Sequence, residues 1–457
     1  MQISLSEHFN YKILLRFTIP SIIMMMFSSL YSVIDDGLFV SNFVGKEAFV
    51  ALNIMAPIMT VFGAIGSMIG SGANALISKT LGEKQDKKAG EYFTQIVIFS
   101  IAISILVTII GLIGLEPFCL AMGAEDKVLE YCLTYGRIIF PLTIIFLFQW
   151  LFQNLLITSE KPRLAMIITI CSGVSNIFFD TLLIVILKWG IVGAVLATVS
   201  GSLVSMLISL SYFLFGKDKK FGFTKIEFDL KIAGQVCYNG LSELINNLSM
   251  SVSSALFNYQ LMNIAGNDGV AAYGVIMYIC YVFSSAFTGY SMGIAPVVGY
   301  NYGAENQEEL KNVLKMSFRV VAVLGFILLG LSEATAVPFS KVFVSYDQDL
   351  LNMTVHGLRL FSPAFLVMGF NIFGISFFTA LNNGKIAGFM SFVRTFVLQV
   401  LALLILPNFL GLNGIWLASL VAESMMLIVT FTSLKKMDKK YHYYSYKNEL
   451  AFSTNRK

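Results

Sequence analysis

The run ILLRFTIPSIIMMMFSSLYSVIDDGLFV, residues 13–40, decides how the rest of the chain is read. Wound as a helix it would be about 42 Å long, more than the roughly 30 Å of hydrocarbon in a bilayer. Its charges are confined to Arg16 near one end and Asp35 and Asp36 near the other. It is too long for the apolar core of a cleaved signal and shows no small-residue cleavage site, so it is expected to stay as a first spanning helix.

Apolar windows of the same kind recur along the chain. They fall at 48–70, 93–115, 133–157, 164–187, 191–215, 233–262, 270–296, 317–339, 356–380, 386–410 and 413–434, which makes twelve spans. The composition agrees: 56% of the 457 residues are hydrophobic and only 13% are charged. A soluble domain carries nearer a quarter charged residues, and a soluble helical solenoid would keep a charged face on each helix, which these segments lack. The expected fold class is therefore an all-α integral membrane protein.

Charge placement sets the expected topology. With both termini inside, 24 of the 31 Lys and Arg fall on the inner side and six on the outer, Arg394 lying within a span. This positive-inside bias predicts two cytoplasmic termini and an even number of helices, in a multi-pass protein of the plasma membrane.

The chain also repeats itself at an offset of 221 residues. Gly72 matches Gly293, Gly82 matches Gly303, and Pro117-Phe118 matches Pro338-Phe339. Gly190, Gly193, Leu196 and Ala197 match Gly411, Gly414, Leu417 and Ala418, while Pro141 and Pro363 are out of register by one. The expected organisation is a six-helix lobe over 1–215, a basic cytoplasmic linker over 216–231, a second six-helix lobe over 232–434 and a cytoplasmic tail over 435–457. An even helix number per lobe inserts both the same way up, so a pseudo-two-fold axis should run along the membrane normal, as in parallel transporter repeats. Two facing bundles leave a central cleft that rocking can open to alternate sides. The duplication therefore points to transport rather than to a channel or an enzyme.

Ionisable groups inside a span cost about 2.5–3.5 kcal/mol on insertion scales, so each asks for a reason. Asp36 lies about six residues, or roughly 9 Å, short of an outer end at Asn42. Its neighbour Asp35 points some 100° away, and either could simply end the helix among headgroups. In the fifth segment, Asn176 and Asp180 are one turn apart on one face, with Asp180 near the depth of Asp36. Two carboxylates at one depth suit a shared cation, either Na⁺ in an oxygen cage or a proton bound because desolvation and mutual repulsion raise one carboxyl pKa. A structural hydrogen-bonded pair is the plainer alternative. The repeat places Phe257 and Leu401 at the matching positions of the second half, so the cation site is expected in the first lobe. The second half offers other groups for a cleft: Glu243, Asn246, Asn247, Tyr278, Tyr281, Asn371 and Glu423. Glu243 could instead face cytoplasmic water, and Glu423 could pair with Arg394. The 21 methionines and 40 phenylalanines suit an adaptable apolar cavity, although lipid-facing packing accounts for most of them.

These residues, in this order, resemble the multidrug and toxic compound extrusion (MATE) family over essentially the whole chain. The resemblance rests on Pro20, on Asp36-Gly-Leu-Phe-Val-Ser, and on the glycine-rich stretch at 70–82 with its partner at 293–304. It rests also on Asn176-x3-Asp180 and on the Gly-x-x-Gly-Ala-x-x-Ala-Thr pattern at 190–198. It implies an antiporter that expels organic, often cationic and amphipathic, compounds in exchange for inward H⁺ or Na⁺. It also implies a cation site at Asp36, Asn176, Asp180 and Thr198, with Tyr135 and Gln153 as nearby cavity groups; in the expected cycle, cation binding alters the first helix, with Pro20 as the place for a bend. Ser41 departs from the family's usual glycine, and Gln153 stands where asparagine is common. Glu243 comes too early to match the mid-helix carboxylate of one family branch, which leaves the choice of ion open.

A lipid-linked saccharide flippase of the same superfamily would want a strongly cationic cavity, for which only Arg394 and Arg137 are available. A major-facilitator carrier would show a basic motif between its second and third helices, which is absent from Leu81 to Ala89. A membrane-embedded enzyme would need a nucleophile with its base or a metal cluster. The histidines stand far apart at positions 8, 356 and 442, and the five cysteines show no ligand spacing. No cofactor, resident metal or nucleic-acid partner is expected, Na⁺ at Asp36 and Asp180 aside. The expected partners are small organic substrates and the lipid bilayer, and the chain is expected to work as a monomer.

Overall fold

Long apolar runs without charge have one stable arrangement in lipid, the helix, because it satisfies every backbone group internally. The computed structural model describes residues 3–216, 219–226 and 229–443, with the side chains of residues 33–42 and of Lys46 outside that description. Every long element within it is a helix. The first lobe comprises α1 (Tyr11–Phe43), α2 (Lys46–Gly82), α3 (Asp86–Ala121), α4 (Asp126–Thr158), α5 (Pro162–Ile186) and α6 (Gly190–Phe215). The second comprises α7 (230–265), α8 (267–303), α9 (Gln307–Val344), α10 (Gln348–Ala380), α11 (Gly384–Leu410) and α12 (Leu412–Tyr441). The helical run Leu230–Gly303 is two helices rather than one, since Gly266 interrupts it at φ 62° and ψ −150°. Only glycine adopts that backbone without strain. Its counterpart 221 residues earlier, Gly45 at φ 119°, separates α1 from α2. Twelve spanning helices result among the described residues, in an all-α fold.

The duplication seen in the sequence is written into the backbone. Lys84 and Glu305 end α2 and α8 at φ 59° and 54°, and Glu160 and Asn382 end α4 and α10 at 62° and 57°. Both α4 and α10 are broken by a single 3₁₀ turn, at Phe140–Leu142 and Ser362–Ala364, around Pro141 and Pro363. The one-residue slip of that proline pair persists to Glu160 and Asn382 and has closed again by Gly190 and Gly411.

Several helices outrun their apolar windows. α2 continues from the expected end at residue 70 to Gly82, and α12 continues to Tyr441, so that residues 435–441 of the expected tail are helical. Small residues let the extra turns of α2 press against the other lobe. A side chain on Gly72 would overlap the Val236 carbonyl of α7, and one on Gly240 would overlap the Met68 carbonyl of α2. Near the helix ends, Gly82 meets the Tyr300 carbonyl and Gly303 meets the Lys79 carbonyl. Each residue of the second pair lies 221 positions from its counterpart, so this contact is reciprocal about the pseudo-two-fold axis. The two lobes thus close on each other at the end of the bundle that holds the start of α1 and the end of α12, called here the terminal face.

Candidate functional site

α5 begins with Pro162 at its first turn, where a missing N–H costs nothing. It then places Thr169, Ser172, Asn176 and Asp180 at intervals of three, four and four residues, which is one helical face. All four are only 2–4% exposed. The result is a polar column inside an apolar bundle, with Asp180 at its far end.

Neighbouring helices hold the column in place. Gln153 of α4 donates through Nε2 to Thr169 Oγ1 at 2.9 Å, and Ser172 Oγ donates to the Gly201 carbonyl of α6 at 2.7 Å. Gly201 is required there: a methyl group would lie 2.8 Å from Asn176 Cβ and 2.9 Å from the Ser172 carbonyl oxygen. Thr198 lies one turn from Gly201 on α6, half-buried, with its hydroxyl bonded to the Ala194 carbonyl at 3.1 Å. Gly173 is packed between the rings of Phe27 and Tyr31 of α1. Tyr135 is buried in the first part of α4. The buried Oδ1 of Asn176 accepts no hydrogen bond among the described residues, which leaves one oxygen of the column with spare capacity. Asp35 and Asp36 lie outside the described side chains, so their side chains enter none of this geometry.

The second-lobe groups are arranged differently. Glu423 of α12 is buried and receives Arg394 of α11, with Nη2 2.7 Å and Nε 2.9 Å from Oε1. Asn371 of α10 donates to Glu423 Oε2 at 2.7 Å and to its carbonyl at 2.8 Å, while Thr430 donates to Asn371 Oδ1. This network ties α10, α11 and α12 together. Glu243 of α7 is half-buried and lies within electrostatic reach of the same Arg394. Asn247 donates to the Glu243 carbonyl at 2.8 Å and approaches Ser67 Oγ of α2 at 3.5 Å, a polar contact between lobes. Tyr278 is 46% exposed and stacks on Phe343 of α9.

The sequence reading singled out Asn176 and Asp180 on this face, and the family resemblance added Gln153 and Thr198; neither pointed to Thr169, Ser172 or Gly201, which the structure places beside them. The signal was available in the i, i+3 and i+4 spacing of polar residues along α5. Two other buried acids, Glu160 and Glu309, also escaped it, because they sit next to loops where charge is ordinary.

Comparison with known proteins bears on this architecture directly. The MatE family model matches twice, over residues 20–182 and 244–405, once in each lobe. The chain belongs to the MatE family. Its relatives include the multidrug export protein MepA of Staphylococcus saprophyticus, 23% identical over 429 residues and covering 92% of this chain and 93% of that protein. An FAD transporter of Shewanella oneidensis is also 23% identical, with the same coverage of each chain. Among solved structures, a multidrug resistance MATE transporter in its outward-facing conformation superimposes with a TM-score of 0.89 at 22% identity, covering 94% of this chain and 96% of the other. A MOP superfamily transporter from Pyrococcus furiosus gives 0.87 at 22% identity with the same coverage. The MatE member described here is thus a multi-pass membrane transporter with the two-lobe MATE fold.

Proposed function

We propose that this MatE protein is an antiporter that exports organic, cationic amphipathic compounds by alternating access, driven by inward H⁺ or Na⁺. The terminal face with its basic segments is then the cytoplasmic side of the plasma membrane. The observation that carries the reading is the buried α5 column ending in Asp180. A carboxylate placed among apolar helices is costly, and a site where a small cation comes and goes is the use that offsets the cost.

The helix register supports a partner for it. Gly173 lies level with residues 27–31 of α1, and α1 and α5 run in the same direction. Seven residues further along each helix, position 180 comes level with position 36, about 10 Å nearer the far face. Asp36, Asn176, Asp180 and Thr198 would then surround one cation. Tyr135, Gln153, Glu243, Asn247, Tyr278 and Glu423 are the polar groups assigned to the substrate path. The excess of acids over bases among these groups favours positively charged cargo. Export of multiple drugs by the MepA relatives agrees with that class.

The test is efflux of a cationic dye from vesicles containing purified protein, with H⁺ and Na⁺ gradients imposed separately. One gradient should drive the parent, and Asp36→Asn and Asp180→Asn should each abolish the response. Undiminished coupled efflux in both variants at equal protein content would remove the proposed cation site.

A further inference from the structure

The segment ahead of α1 does not dangle at the terminal face. It crosses from one lobe to the other and is gripped at both ends. In the first lobe, Glu160 in the α4–α5 loop accepts the Leu5 N–H at 2.8 Å and Ser4 Oγ at 3.0 Å, and pairs with Lys220 of the linker at 3.2 Å. In the second lobe, Glu309 in the first turn of α9 accepts the Phe9 N–H at 2.9 Å, and its other oxygen lies 2.6 Å from His8 Nδ1. Leu5 and Phe9 are each 1% exposed, so the segment is packed as well as hydrogen-bonded.

The grip in the second lobe extends along α9. Asn312 Nδ2 donates to the Phe9 carbonyl at 2.8 Å, and Arg319 Nη1 donates to Tyr11 Oη at 2.9 Å. Glu309, Asn312 and Arg319 are spaced by three and seven residues, which keeps them on one stripe of the helix. The repeat partners of this stripe in α3 are Lys88, Glu91 and Ile98, which could not make the same contacts. The stripe is therefore a feature of the second lobe alone. Beyond Phe9 the chain returns to the first lobe as α1, so the segment reaches across to the second lobe and back. Among the described residues, the side-chain hydrogen bonds that join it to the other lobe come from the α9 stripe.

We infer that Glu309, Asn312 and Arg319 form a clasp that holds the terminal face shut through His8, Phe9 and Tyr11, and that the clasp must release each time this face opens to load substrate. The inference rests on the alternating-access reading above. It assigns positioning residues to that cycle at a place remote from the cation column. His8 is 77% exposed at the clasp, so water can reach the carboxylate as the contact parts. The other end, where Glu160 accepts from Leu5 and Ser4, stays with its own lobe.

Two experiments on the full-length protein in lipid nanodiscs test the clasp. In the first, spin labels at Lys87 and Lys385, both exposed at the terminal face on opposite lobes, report the distance between lobes after Cys171 and Cys237 are replaced by serine. Glu309→Gln combined with Asn312→Leu should raise the open-to-closed ratio at this face about tenfold, equivalent to 1.4 kcal/mol. An unchanged distance distribution in a variant with parental melting behaviour overturns the clasp. In the second, His8→Cys and Glu309→Cys are bridged by a short thiol-specific cross-linker that a reductant cleaves. The bridge should stop dye efflux and the reductant should restore it; efflux that continues through the bridge overturns the proposal. If the parent protein moves no dye under either gradient, the antiport reading fails, while the distance measurement still decides the clasp.

Discussion

Arg394 and Glu423 meet inside the second lobe through Nη2 and Oε1 at 2.7 Å, with side chains 12% and 8% exposed. Neither charge has water to fall back on. Removing one partner leaves the other uncompensated, a change that costs about 3–5 kcal/mol when a buried pair is broken. Arg394→Leu and Glu423→Leu should therefore each lower the melting temperature in detergent substantially. The double variant Arg394→Met with Glu423→Leu should recover much of the loss, because neither member of the pair is then left facing an empty partner; the nearby Glu243 loses its cation and keeps the recovery incomplete. A double variant as unstable as the singles would show that the pair's role is not electrostatic compensation.

The α5 column leads to a different expectation. Asp180→Asn keeps the size of the side chain and removes its charge, so the fold should persist while coupling fails. Gradient-driven dye efflux should fall by at least about tenfold, or 1.4 kcal/mol of driving interaction, with expression and melting near parental. Asn176→Leu, which removes the oxygen that accepts no hydrogen bond among the described residues, should weaken coupling in the same direction but less completely. Full retention of gradient response in Asp180→Asn would mean that the buried carboxylate serves packing alone.

Much of this architecture could be read from the sequence, and the gaps have physical causes. Twelve helices and the duplication follow from hydropathy and from glycines at matched positions, since lipid permits only closed backbone hydrogen bonding and turns demand positive φ. Helix ends were less legible. A hydropathy window measures transfer into lipid, whereas residues 71–82 are helical because their small side chains pack against α7 and α8. Asn176 and Asp180 stood out because charge and amide are rare in a span, while Thr169 and Ser172 passed as ordinary helix residues. The clasp was not legible at all. Leu5 and Phe9 reach carboxylates 155 and 300 residues away, and nothing local in the chain marks such contacts.

The reciprocal contact of Gly82 with the Tyr300 carbonyl and Gly303 with the Lys79 carbonyl leaves no room for a side chain on either glycine. Gly82→Val and Gly303→Val should both push the lobes apart at the terminal face. Because the two sites are equivalent about the axis, their effects should be alike: a lengthened lobe-to-lobe distance by spin labelling and reduced efflux. Gly114→Val is the control, since nothing lies within 4 Å of a side chain there, and it should match the parent in both measurements. Parental distances in the Gly82 and Gly303 variants would show that the lobes are not held by this contact.

The Gly201 approach to α5 offers a graded test of the column. Alanine there already places a carbon 2.8 Å from Asn176 Cβ, and valine adds two more methyl groups in the same direction. The neighbouring helix must shift, since packed interiors lack the free volume to absorb even one methylene without cost. The shift would carry Asn176 away from Thr198 and loosen the Ser172 bond to the position 201 carbonyl. Efflux under the driving gradient should therefore decline from parent to Gly201→Ala to Gly201→Val, while protein yield in the membrane stays level. A strict order of decline is expected because the displacement scales with the added volume. Equal efflux across the three would detach the geometry of α5 and α6 from coupling, and would move the search for the cation site to other helices.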